Sequence, residues 1–150
     1  MPPLVRRYLK TGFAFLVLGI LIGLHVSAAE YLGWGRLHLS YVVAHTHLIL
    51  VGFVMMLIMG VSLWMFPKPA EGDARYRPGR MELAYWLVTA GVIARSGFEI
   101  LSSYYASRWV GAGVFAASAL EALAMALFFW GMLPRIRSPR EDWLRRETPR

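Results

Sequence analysis

Residues 41–67 read YVVAHTHLILVGFVMMLIMGVSLWMFP, an apolar run that contains no Asp, Glu, Lys or Arg. At a rise of about 1.5 Å per residue, a helix of this length exceeds the ~30 Å of a hydrocarbon layer. The run therefore predicts a transmembrane helix from Tyr41 to Phe66. We expect it to end before Pro67, because proline cannot continue a helix.

Three further apolar blocks predict three more spans. They run from Tyr8 to Ala29, from Leu83 to Ser102 and from Trp109 to Leu133. Of the 150 residues, 57% are hydrophobic and only 17% are charged, and the charges lie mostly between the blocks. We predict an all-α fold, an integral membrane four-helix bundle, with a four-span domain at 1–134 and a basic tail at 135–150.

The distribution of Lys and Arg predicts the orientation. Basic residues cluster before the first block, after the second and after the fourth, whereas the connections at 30–40 and 103–108 hold one arginine each. Cytoplasmic connections carry the excess of Lys and Arg, so both termini are expected in the cytoplasm, with the protein in the cell membrane. The net charge of +7 then faces anionic lipid, and nucleic acid is not an expected partner.

The absence of cysteine limits the cofactor chemistry. It excludes disulfides, thiolate metal sites and the covalent attachment of haem. Any haem group would be held by axial ligands and packing alone.

Apart from Lys10 at the basic edge of the first block, six ionisable side chains lie within the predicted spans, where charge is costly unless it is paired or bound. They are His25, His45, His47, Arg95, Glu99 and Glu121. The three histidines lie at a similar depth, near the outer ends of the first and second helices. Because imidazole is the usual protein ligand of haem iron, they are candidate metal ligands. Hydrogen bonding to backbone or water is the simpler alternative.

The spacing of two histidines restricts what they can bind. His45 and His47 are two positions apart, about 200° around a helix, so they point to opposite sides. They cannot chelate one ion together. One can ligate a haem while the other meets a second group or a partner subunit.

The remaining charged groups have alternative roles. Arg95 and Glu99, one turn apart, can form an ion pair, or Arg95 can bind a haem propionate. Arg36 and Arg108, in the outer connections, are further propionate candidates. Glu121 lies at the middle of the fourth helix and could be protonated, bond to Arg95 or another helix, or relay protons.

Gly19 and Gly23 form a pair of small residues one turn apart on the first helix. This spacing would let another helix approach closely, although it also arises by chance in apolar helices.

The histidine-bearing stretch resembles the tenth helix of subunit one of the haem–copper oxidases. The matching residues are Val42, Val43, Ala44, His45, His47, Gly52, Gly60, Trp64, Phe66 and Pro67. In that family the first histidine ligates the high-spin haem and the second the low-spin haem. The family's copper site needs three further histidines, but only His25 and His38 are left here. Copper is therefore not expected to have a complete site within one chain.

The resemblance implies a function and an assembly. The chain is also similar to short four-helix relatives of the family, and the catalytic subunit has twelve helices in three arcs of four. A homo-oligomer is expected, a trimer first and a dimer as the alternative. The implied function is b-type haem binding with electron transfer or oxidoreductase chemistry on nitric oxide or oxygen, served by an electron-donor protein. The alternatives are a non-catalytic subunit or adaptor of a respiratory complex, and a small proton or solute transporter.

Overall fold

A computed structural model describes residues 1–67 and 76–136. Its regular structure consists of four helices: α1 (Pro3–Tyr31), α2 (Leu39–Met65), α3 (Pro78–Ser102) and α4 (Arg108–Met132). A short 3₁₀ turn, Leu133–Arg135, extends α4. The predicted all-α class is therefore confirmed for the described part of the chain. Residues 68–75 of the long connection and 137–150 of the predicted tail lie outside it.

All four helices begin earlier than the apolar blocks indicate, and two of them do so by five residues. The first starts at Pro3 rather than Tyr8, and the third at Pro78 rather than Leu83. An apolar block marks the expected hydrocarbon edge, whereas a helix can continue into polar surroundings. Both helices open with proline at the first position, where a backbone N–H has no partner within the helix.

The second helix is not α-helical throughout. It is an α-helix over Leu39–His47, a π-helix over Leu48–Met55 and an α-helix again over Met56–Met65. The wider π winding shifts the side chains beyond His47 around the helix axis relative to a regular α-helix. The histidine pair itself lies in the α-helical part.

Three helices, α1, α2 and α4, are long and apolar enough to cross a membrane. The third, α3, has 25 residues but carries Arg95 and Glu99 in its apolar stretch. Large apolar side chains also cover the outside of the helices, among them Leu18, Leu24, Phe115 and Leu123. This surface is consistent with a membrane protein. A fourth span and cytoplasmic termini remain predictions.

Close contacts at glycines join α1 and α2 in an antiparallel pair. A Cβ atom on Gly19 would lie 2.8 Å from Cγ1 of Ile49, and one on Gly60 would lie 2.9 Å from Cβ of Tyr8. Gly23 lies against His45 in the same way. The Gly19–Gly23 pair thus forms a contact surface for a second helix, as its spacing predicts, and that helix belongs to the same chain.

The other two helices, α3 and α4, form a second antiparallel pair, and α3 also packs against α2. Between the helices lies a core of fully buried side chains. It includes Tyr8, Met56, Met59, Met81, Val88 and Phe128. This core occupies the half of the molecule where α1 begins and α4 ends.

Arg135 closes that end of the structure. It is 4% exposed, and its guanidinium donates to the backbone carbonyls of Leu63, Phe66 and Pro67 at 2.9, 2.6 and 2.9 Å. These carbonyls lie at the end of α2, where no backbone N–H of the same helix is left to bond them. Arg135 therefore caps that helix. The sequence assigns Arg135 to the tail at 135–150, but its contacts are with the helices.

Candidate functional site

The predicted site residues lie in the half of the molecule that we call the histidine end. There α1 ends, α2 begins, α3 ends and α4 begins. Hydroxyl pairs link α2 to the α3 end: Ser40 Oγ lies 2.9 Å from Ser102 Oγ, and Tyr41 Oη lies 2.7 Å from Tyr104 Oη. These contacts fix the start of α2 beside the end of α3.

His45 faces α1. Its Nδ1 lies 2.8 Å from the carbonyl oxygen of Gly19, and its ring packs against Gly23. A carbonyl oxygen only accepts hydrogen bonds, so Nδ1 carries the proton of this bond. In a neutral imidazole this leaves the lone pair on Nε2, the nitrogen with which histidine can coordinate a metal.

His47 faces the other way, toward α4. Its Nε2 lies 2.9 and 2.7 Å from the two carboxylate oxygens of Glu121. The opposite orientation of the two histidines is therefore confirmed. Glu121 is only 4% exposed, so its contact with His47 is buried between the helices. An imidazole N–H that lies between two carboxylate oxygens makes a charge-assisted hydrogen bond. This bond offsets the free-energy cost of burying the Glu121 carboxylate at this depth.

Gly91 on α3 makes room for that contact. A Cβ atom there would lie only 2.6 Å from Cγ of Glu121. The carboxylate of α4 thus passes the backbone of α3 to reach His47 on α2. Three helices meet at this point, and the sequence offered no partner for Glu121 more specific than Arg95 or another helix.

Arg95 joins a separate polar cluster beside the His47–Glu121 pair. It donates to the hydroxyl of Ser118 on α4 and, at 3.1 Å, to Oε1 of Glu99. The ion pair that the four-residue spacing predicts is confirmed. Arg95 Nε is buried and has no hydrogen-bond partner within the described residues.

His25 lies apart from the other two candidate ligands. Its side chain is exposed, and its ring centroid lies 5.1 Å from that of Tyr41, at a tilted angle of 48° and one helical turn before His45. His38 is also near Tyr41 and lies 6.0 Å from the ring of Tyr104. No group of three or more His, Asp or Glu side chains that could hold a metal ion occurs in 1–67 and 76–136.

Arg36 and Arg108, which the sequence places in the outer connections, are both exposed at the histidine end. Arg36 lies in the connection between α1 and α2, and Arg108 is the first residue of α4 rather than a loop residue. They stand at the surface, whereas Arg95 lies between helices.

The histidines differ in how well they fit a haem group. His45 has the hydrogen-bonding pattern of an axial ligand, because the Gly19 carbonyl accepts from Nδ1 and Nε2 is left without a proton. His47 does not fit through Nε2, since the Glu121 carboxylate occupies that nitrogen. The unpartnered Nε of Arg95 suits a carboxylate such as a propionate.

Comparison with protein families, characterised proteins and solved structures finds no match to this chain.

Proposed function

We propose that this protein is a b-type haem-binding membrane protein in which His45 is the axial ligand. The observation that carries the proposal is the 2.8 Å contact between His45 Nδ1 and the Gly19 carbonyl. Histidines that ligate metals almost always donate their other ring N–H to a carbonyl or carboxylate, which fixes the tautomer and the ring orientation. The resemblance of 41–67 to a haem-carrying helix supports the same residue.

The ligand on the other side of the iron decides the chemistry. A second histidine, such as the exposed His25 of a neighbouring copy, would give an electron-transfer haem. An open position would allow binding of a diatomic gas. Arg95, Arg36 and Arg108 are the cationic side chains that could hold propionates. A trimer or dimer remains a prediction, which native mass spectrometry in mild detergent would test.

Absorption spectroscopy of the purified protein, supplied with haem, tests the proposal. We expect a Soret band and sharp bands on reduction. His45→Ala should abolish them, and added imidazole should restore them by occupying the vacated ligand position. His38→Ala is the matched control and should leave the spectrum unchanged.

Two results would overturn this assignment. Either the wild-type protein takes up no haem, or His45→Ala retains the wild-type spectrum. Carbon monoxide then separates the two forms of the proposal, because it shifts the spectrum only where an iron position is open.

A further inference from the structure

The stripe of side chains that α3 turns toward its neighbours changes character partway along the helix. Residues three and four positions apart share one face of a helix, so these side chains form one continuous row. The first part of the row, which we call the apolar half, consists of Met81, Ala84, Tyr85, Val88, Gly91 and Val92, all buried. The second part, the polar half, consists of Arg95, Ser96, Glu99, Ser102 and Ser103. The change falls beside Glu121, whose side chain packs against Gly91.

The polar half leads from the histidine end of α3 toward Glu121. Ser102, in the last turn of the helix, donates at 2.6 Å to the backbone carbonyl of Glu99. One turn deeper, Arg95 donates to the Glu99 carboxylate at 3.1 Å and to the hydroxyl of Ser118 on α4. Ser118 lies three residues before Glu121 on the same helix. Polar groups therefore succeed one another from the end of α3 to the depth of Glu121.

Three buried polar atoms in this half have no hydrogen-bond partner among the residues that the structure describes. They are Arg95 Nε, Ser96 Oγ and Ser103 Oγ. Buried polar groups without a partner cost free energy and are rare, and Ser96 is only 6% exposed. At ~1.5 Å per residue the three groups extend over about 12 Å of helix, too far for one small ligand group. Separate water molecules can serve all of them, because water both donates and accepts hydrogen bonds.

We propose that the polar half of this stripe is an inlet that admits water from the histidine end to the depth of Glu121. Ionisable side chains inside a membrane typically pair with one another or face a water-filled cavity, and Arg95 and Glu99 then do both. The inlet ends where the apolar half begins. Val88 and Val92 are fully buried there, as are Met56 and Met59 of α2, and apolar space of this kind stays dry. Water thus enters from one side only, and the inlet does not depend on haem.

Water-edited solid-state NMR of the haem-free protein in lipid bilayers tests this inference. The measurement reports how fast magnetisation passes from water to each residue. We expect transfer to Ser96 and Ser103 to be several-fold faster than transfer to Val88. Ile93 and Gly97 are the matched controls, because they lie at the depth of Ser96 on the exposed face of α3, and they should be slow.

Two patterns of transfer would overturn the proposal. If Ser96 is as slow as Val88, the polar half is dry. If Val88 is as fast as Ser96, water continues along the apolar half and the inlet is not closed there.

A single substitution gives a second, independent test. Ser96→Ala removes a hydroxyl that the proposal pairs with water, so the midpoint of thermal unfolding should fall below that of Ser27→Ala. Ser27 is exposed on α1, and its replacement makes the same change in helix propensity. A hydroxyl buried without any partner would instead be better removed. A midpoint for Ser96→Ala equal to or above that of the control would therefore contradict the inlet.

Discussion

The imidazole of His45 lies directly against the backbone of Gly23. A Cβ atom on Gly23 would stand 2.7 Å from Cε1 of the ring and 2.9 Å from Nδ1. His45 also donates a hydrogen bond to the carbonyl of Gly19, which lies four residues before Gly23 on the same face of α1. That bond requires the close approach of the ring to Gly23. The two glycines therefore act together: one leaves space for the ring and the other accepts its proton.

Gly23→Ala should disturb this contact. The added methyl group must displace the ring or separate α1 from α2, and overpacking of this kind costs about 1–3 kcal/mol. Thermal unfolding in detergent should show a lower midpoint than wild type. Gly97→Ala is the matched control, because a Cβ atom there meets no atom within 4 Å. An unchanged midpoint in Gly23→Ala would mean that the helices are less closely packed than described.

A double-mutant cycle measures the contact between His47 and Glu121. Removing one partner of a buried hydrogen bond that involves a carboxylate costs about 1–3 kcal/mol or more, because the other group is left buried without its partner. His47→Leu and Glu121→Leu should each destabilise strongly, while the double variant should lose much less than the sum of the two. Unfolding in a denaturing detergent gives the three free energies.

The size of the coupling is the informative quantity. Neutral hydrogen bonds between membrane helices average only about 0.6 kcal/mol in such cycles. We expect a clearly larger coupling for His47 and Glu121, whose two close contacts involve a carboxylate. A coupling near zero would show that the side chains do not interact in the folded protein. Arg95→Ala, in the neighbouring cluster, should show no comparable coupling with His47.

Local geometry explains which parts of the site are predictable from sequence. The opposite directions of His45 and His47 follow from a two-residue spacing, and the Arg95–Glu99 pair from a four-residue spacing. Both depend only on the winding of one α-helix. The four helices are likewise visible as apolar blocks with proline near their ends.

Contacts between distant helices are not visible in that way. Glu121 meets His47 across 74 residues of sequence, and the contact depends on how α2, α3 and α4 are rotated about their axes. The π-helix at Leu48–Met55 also has no signal that we recognise in an apolar run. Gly91 could have been noticed as a small residue one turn from Arg95, but its partner could not.

Arg135 provides a third test, at the end of the molecule remote from the histidines. Arg135→Ala should leave three carbonyls at the end of α2 without their donor and lower the stability by about 2–4 kcal/mol. Arg135→Lys keeps the charge but not the planar set of donors, so its loss should be intermediate. Arg6→Ala, at an exposed position, is the control. If all three variants unfold at the wild-type midpoint, Arg135 belongs with the predicted tail after all.

The predicted topology can be tested because the chain contains no cysteine. Single cysteines at Leu37 and Ala106, both exposed at the histidine end, should react with a membrane-impermeant maleimide on intact cells. A cysteine at Met65, exposed at the opposite end of α2, should react only after lysis.

Met65 and Ala106 flank α3, the helix that is less apolar because of Arg95 and Glu99. Opposite labelling of these two positions therefore requires α3 to cross the membrane and makes the fourth span necessary. Labelling of Met65 and Ala106 from the same side would mean that α3 does not cross, and the basic-rich connections would not then mark the cytoplasmic face.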